Sequence, residues 1–301
     1  MDPLTKLELA IAATKHGAGK RKLATRVRHG GLDALSQNLE VLDGASRHRV
    51  RDEAEQLAER GTTAFLRGSA QYPRLLDLIE NAPPVLFALG NDSLLLEPGI
   101  GVCGARNVSG DGVQAAMTCG QTAASQGLVS VSGYARGVDM ATHVSTLRAG
   151  GATIIVLPEG IDHFRVKRGE FSDAWDPSRA LVLSQFSPTQ PWTTGGAMTR
   201  NGVIIGLSLA LVVVEAGETG GTLAAGKRAL ELGRRVIALE FTDTPRGNKM
   251  LLDRGAVAAA DKTELSDFLN ALRFVAEEPV RPNEVDPQEL LIPELPGPAR
   301  R

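Results

Sequence analysis

Apolar residues near the start of the chain recur with a helical period between glycine-containing breaks: Leu7, Leu9 and Ile11, then Leu32, Leu35, Leu39 and Leu42, then Ala54, Leu57 and Ala58. This predicts a small helical module over residues 1–66. After Tyr72-Pro73 and Ala82-Pro83-Pro84 the pattern changes to short aliphatic runs that end in glycine-bearing turns and alternate with amphipathic segments. Strands are expected at Ile100 to Cys103, Leu128 to Val131, Thr153 to Leu157, Ala180 to Leu183, Leu209 to Val214 and Arg235 to Leu239, with helices such as Val113 to Gln126, Met140 to Ala149 and Leu223 to Leu232 between them. Nearly continuous aliphatic strands are what a parallel sheet covered on both faces requires. The expected class is α/β, a doubly wound, mostly parallel sheet over residues 67–273, with its ligand crevice at the carboxyl ends of the strands. Beyond Phe274 the chain turns Pro-rich and acidic, and residues 274–301 are expected to be a disordered tail.

Composition narrows this picture. Hydrophobic residues make up 43% of the 301, enough for one sizeable core and a small accessory module. Aromatic residues are only 4%, so composition offers no aromatic stacking platform. The net charge of -2 means that any nucleic-acid surface must be a local basic cleft, because the whole-molecule field does not attract a polyanion. A run without acids, Lys15, Lys20, Arg21, Lys22, Arg26 and Arg28, could meet phosphates or form a solvated helix face. Cys103 and Cys119 are too few and too far apart for a zinc site or a disulfide framework and read as small buried residues. No metal and no cofactor is expected. The segment Met1-Asp2-Pro3-Leu4 begins no leader pattern and no apolar run is long enough to span a bilayer, so a cytoplasmic protein without a membrane partner is expected.

The informative chemistry lies at the strand ends. Gly99-Ile100-Gly101-Val102-Cys103-Gly104 fits G-x-G-x-x-G, yet its glycines fall inside the strand and not in the turn after it, so it is not read as a dinucleotide site. The turn Gly104-Ala105-Arg106 leads into a helix whose N-terminus would favour a phosphate, with Arg106 adding a forked contact or serving a salt bridge. Ser132, Gly133, Arg136 and Gly137 follow the next strand; the glycines allow close backbone approach, and Asp139 is placed to cap a helix. His143 reads either as part of a site or as a helix histidine bonded to a neighbour. Two further turns, Gly160-Ile161-Asp162 and Glu215 to Thr222 with Gly220 and Gly221, converge on the same edge. Asp162 and Glu215 could be paired carboxylates or turn and cap residues. Arg200-Asn201 precedes the apolar stretch Gly202 to Leu211 and suits phosphate contact.

Together these segments resemble the DprA/Smf (DNA-processing protein A) family. The resemblance rests on Val102 to Arg106, Ser132 to Asp139 with His143, Gly151 to Asp162, Arg200 to Ser208, Glu215-Ala216 and Gly220 to Leu223, and covers roughly Tyr72 to Ala256. It implies an extended Rossmann-like domain that binds single-stranded DNA, forms a homodimer, and hands the strand to a RecA-type recombinase in natural transformation. The resemblance, with the chemistry of the turns, makes Gly104, Arg106, Ser132, Gly133, Arg136, Gly137, Gly160, Lys167, Arg200, Asn201, Gly220, Gly221 and Thr222 the expected phosphate-binding residues. No catalytic residue is assigned, and the winged-helix domain found at the C-terminus of some members is not expected.

The chain departs from the family pattern at several places. Gly202 stands where a second arginine is usual, Gly220 and Thr222 replace serines, Ala225 replaces a threonine, Gln185 replaces a glutamate, and His163-Phe164-Arg165 replaces a Tyr-Pro pair. Hydroxyls and one charge are lost, while Arg165, Lys167 and Arg168 supply positive charge nearby. Two other readings remain open. One is a nucleotide sensor or a nucleotide hydrolase similar to LOG-type phosphoribohydrolases, although Leu223-Ala224-Ala225 lacks the glutamate of their P-G-G-x-G-T-x-x-E pattern. The other is a scaffold that meets a recombinase through its N-terminus or tail.

Overall fold

The computed structural model describes residues 1–15 and 20–277. Helical segments open the chain: α1 (Pro3–Lys15), α2 (Lys20–Glu40), which is kinked where Gly31 leaves helical geometry at φ 54°, and α3 (Gly44–Glu59), the last capped by the Asp43 carboxylate, which accepts from Ser46 N at 2.7 Å. Then come β1 (Thr62–Leu66), α4 (Arg74–Asp77), β2 (Val85–Gly90), β3 (Gly99–Cys103), α5 (Gly110–Ser125), β4 (Val129–Ser132) and α6 (Val138–Arg148). The second half runs β5 (Thr153–Val156), α7 (Glu170–Ala174), β6 (Ala180–Ser184), α8 (Thr194–Gly206), β7 (Ala210–Val213), α9 (Gly221–Glu231), β8 (Arg235–Leu239), α10 (Arg246–Leu252), β9 (Val257–Ala259) and α11 (Lys262–Glu277).

All strands join one sheet in the order β1-β2-β6-β5-β4-β3-β7-β8-β9. From β6 to β9 every neighbouring pair is parallel; β2 runs antiparallel to both β6 and β1. From β3 the chain winds outward through β4, β5 and β6. The α8 crossover then returns it to β7 on the opposite side of β3, and this reversal opens a crevice above the carboxyl ends of β3 and β7. Alternation along each strand divides the core into two faces. Ile154, Val156, Leu211 and Val213 join the cluster under α8 and α9, while Ile155 packs with α1 and α6, and Val212 and Ile237 with α5 and α11.

The six expected strands are present within a residue of their predicted limits, and the expected helices lie between them. Three features differ. Residues 62–66 are a strand and not part of a helical module, and β2 and β9 extend the sheet at its two ends. The opening helices also share one apolar cluster with the sheet: Leu7, Ile11, Leu35 and Leu57 pack with Val85, Phe87, Ile155 and Val182. Helix α11 runs to Glu277 and so takes in the first four residues of the expected tail, 274–277; residues 278–301 lie outside the described residues. The side chains of Lys20 and Arg21, in the expected basic run, are also outside them. Both cysteines are free and buried, and burial pushes the Cys119 thiol up to about 12.

Candidate nucleic-acid interface

The carboxyl ends of β3, β4, β5 and β7 face one edge, so the turns that follow them form a common floor. Two adjoining hollows open there. One, of about 400 Å³, is lined by Cys103, Gly104, Arg106, Asp139, Met198, Arg200, Asn201, Gly221 and Thr222 among others. The second, of about 480 Å³, is lined by Arg106, Tyr134, Arg136, Glu159, Arg165 and Lys167 among others. Arg106, Ala135, Trp192 and Arg200 line both, which makes the two a continuous groove. Arg106, Arg136, Arg165, Lys167 and Arg200 face it against the carboxylates of Asp139 and Glu159. A protein of net charge -2 thereby carries the local basic cleft that its overall field lacks.

Arg200 is the pivot of the site. It lies inside α8, not before it, because the helix starts at Thr194, where Thr193 Oγ1 caps it by accepting from Gly196 N at 2.9 Å. The residue is only 6% exposed. Its Nη1 donates to Val156 O at 2.9 Å, while its buried Nε has no acceptor among the described residues. Burial lowers its pKa, and the neighbouring Asp139 charge counters this. Burial likewise raises the Asp139 carboxyl, offset first by Arg200 and then by the Ala135 N–H, which donates to it at 3.3 Å. Arg106 and Arg136 are exposed, and Arg136 donates to Asn107 Oδ1. Lys167 Nζ sits 3.9 Å from the Tyr134 ring centroid and donates to Tyr134 O, and burial lowers its pKa.

Not every expected residue faces the groove. Ser132 is fully buried and its hydroxyl donates to Val102 O at 2.6 Å. Gly160 N donates to Gln190 O at 2.8 Å, and a Cβ there would lie 2.0 Å from Pro188 O, so Gly160 serves loop packing. Gly137, at φ +82°, lets α6 approach the Ala105 and Arg106 carbonyls. Gly133 packs on Arg200 and Asp139 beneath the floor. Gly220 is the N-cap of α9 and supplies no side chain to the orphan N–H groups, whereas Gly221 and Thr222 line the groove.

The N-terminus of α5, expected to favour a phosphate, is already occupied. Ser109 caps it, and the Glu215 carboxylate accepts from both Ser109 N, at 3.1 Å, and Ser109 Oγ. Asp162 is held apart from Glu215 by an ion pair with Arg60 at 3.0 Å. His143 is fully buried between Gly133 O at 2.5 Å and Thr153 Oγ1 at 2.7 Å. A carbonyl only accepts, so Nε2 carries the proton and Nδ1 of the neutral ring is left as an acceptor beside the Thr153 hydroxyl, which also lies 2.9 Å from Ser130 O. Burial pushes this histidine down to about 4, consistent with that neutral form. Its role is to hold the Gly133 turn.

Sequence reasoning missed Trp192. It is 46% exposed on the loop before α8, with the Arg106 guanidinium carbon 5.8 Å from its ring centroid. Pro191 before it and the capping Thr193 after it mark a strand-to-helix loop, but exposure at a groove is a tertiary property.

Residues 63–271 match the family model for DNA recombination-mediator protein A. The chain belongs to this family. It is 36% identical over 168 residues to DNA processing protein DprA of Streptococcus pneumoniae, a match covering 56% of this chain and 59% of that protein. It is 32% identical to protein Smf of Synechocystis over 67% of this chain and 52% of the other, and 34% identical to DprA of Bacillus subtilis over 66% and 69%. The chain thus spans just over half the length of the first two of these relatives. Among solved structures, DprA of Streptococcus pneumoniae superposes with a TM-score of 0.69 at 26% identity, covering 88% of this chain and 97% of that one. DprA of Helicobacter pylori, described for its unique single-stranded DNA binding mode, superposes with a TM-score of 0.60 at 22% identity, over 69% and 95%, and shares the fold. Among the described residues, no helix is long and apolar enough to cross a membrane.

Proposed function

We propose that this chain binds single-stranded DNA along the groove at the carboxyl edge of its sheet, protecting incoming DNA and passing it to a RecA-type recombinase. The observation that carries the reading is Arg200, a buried guanidinium whose Nε–H finds no acceptor among the described residues, between two hollows lined by four more cationic side chains. Arginines and free helix N–H groups hold phosphates without reading bases, as a strand binder of mixed sequence needs. The role is one of binding without catalysis: Glu215 is engaged by Ser109 and Asp162 by Arg60. A homodimer in the cytoplasm belongs to the same proposal.

The uncapped N-terminus of α9 beside a hollow of about 400 Å³ favours a second reading, a small nucleotide held there by its phosphate. Fluorescence anisotropy with a labelled single-stranded oligonucleotide, run across a salt series with duplex and free nucleotides as competitors, separates the two. Binding that prefers single strands and weakens steeply with salt supports the first. Displacement by one nucleotide at low concentration, or no binding at low salt, rejects it.

A further inference from the structure

Trp192 and Trp175 are the only indoles in the chain, and their settings differ. Trp175 is half-buried and packs against Phe164 and Phe171, with ring centroids 5.6 and 5.4 Å away. Trp192 stays in water at the point shared by the two hollows. It is not on a loose tip: the next residue, Thr193, is fixed as the cap of α8. Met198, also 46% exposed, lines one of the hollows with it.

The hollows on either side of this ring differ in chemistry. One carries Arg136, Arg165 and Lys167. The other shares Arg106 and Arg200 with it and also holds Asp139, but adds an apolar wall of Ala197, Met198 and Ile204 beside the neutral polar groups of Thr194, Asn201 and Thr222. The first suits phosphates; the second suits a flat heterocycle that is apolar on its faces and polar on its edge. We infer that Trp192 is a base-stacking residue: a nucleobase of a bound single strand lies on the indole, toward Met198, while the flanking phosphates follow Arg106, Arg136 and Lys167. Arg106, already against the ring, would close the contact by bridging the indole to the adjacent phosphate. Stacking tolerates any sequence because every base offers a π-face.

This inference rests on the single-strand reading of the groove, and its test separates the two. Anisotropy titrations would use an oligothymidine and the same oligonucleotide with abasic sites, against the wild type, Trp192→Ala and Trp192→Phe. The expected result is a fall in oligothymidine affinity of about 5- to 100-fold in Trp192→Ala, with most of it restored in Trp192→Phe. The salt slope should be unchanged, because no phosphate contact is removed. The abasic oligonucleotide should bind wild type and Trp192→Ala alike. Intrinsic fluorescence gives a second readout: binding should quench the wild type, and Trp192→Phe, which leaves Trp175 alone, should lose the quench. Salt-dependent wild-type binding with Trp192→Ala equal to it on oligothymidine would overturn the stacking role and leave the groove assignment intact. No wild-type binding at low salt would overturn both.

Discussion

Gly133 lies so close to Arg200 that a Cβ at position 133 would sit 1.7 Å from Nη1 and 2.3 Å from Asp139 Oδ2. The absence of a side chain on the β4 turn is therefore what lets the buried cation and the buried carboxylate share one space. Gly133→Ala should push the guanidinium off Val156 O. Losing that charge-assisted contact should cost about 1.5–3 kcal/mol of stability in urea melts, and the displaced cation should weaken oligonucleotide binding by roughly tenfold or more. A variant with wild-type stability and affinity would show that the packing beneath the floor is not needed.

The two central arginines should behave differently when truncated. Arg106 is exposed, so Arg106→Ala should leave stability within about 0.5 kcal/mol, weaken single-strand binding and reduce the salt slope by about one. Arg200→Ala removes the charge that offsets the buried Asp139, and should destabilise the fold by about 3–5 kcal/mol as well as weaken binding. Paired melts and salt titrations of the two variants check this. Equal destabilisation by both would contradict the pivot role given to Arg200.

Gly202 offers a gain-of-function test. A Cβ there meets nothing within 4 Å, although the position follows Arg200-Asn201 on α8. Gly202→Arg should stabilise the helix by about 0.8 kcal/mol through propensity alone. It should also raise single-strand affinity and steepen the salt dependence by about one phosphate contact. Unchanged affinity at low salt would place the strand away from this face of α8.

His143 should leave a signature in acid. Its folded pKa, pushed down to about 4 from 6.5, means that between those values the unfolded chain binds a proton that the folded chain does not. Stability should therefore fall as pH drops through this window, by up to about 3 kcal/mol at pH 4. Asp139, raised by burial, acts in the opposite sense, since the folded state holds its proton more tightly. A comparison with His143→Asn removes that common contribution: the wild type should lose stability relative to the variant on going from pH 7 to pH 4. A constant difference between them would mean that the ring does not stay neutral in the fold.

The sheet interior was legible because its strands are aliphatic runs closed by glycine turns, as at Thr153 to Val156 before Gly160. The ends of the sheet were not. Thr62–Leu66 follows a helical pattern with only Gly61 to mark the break, and its strand character comes from pairing with β2. Arg106 and Arg136 were found because turn residues after parallel strands meet at one edge, while Lys167 and Arg200 were found through the family resemblance. Burial separated the remaining candidates: no sequence pattern says that the Ser132 hydroxyl is spent on Val102 O, or that Glu215 fills the helix end meant for a phosphate. Only the apolar stretch Gly202 to Leu211 stood out in this part of the sequence; helix α8 starts earlier, at Thr194, because the Thr193 cap offsets the poor helix propensity of Gly195 and Gly196.

The family match begins at residue 63, yet Leu7, Ile11, Leu35 and Leu57 lie on the same apolar surface as Val85, Phe87 and Val182. A polypeptide lacking the first three helices would present that sheet face bare, and bare aliphatic surface of this kind drives self-association. Order along the chain supplies the remedy. During synthesis these helices leave the ribosome before β1 to β9 do, so the cover exists before the surface it protects.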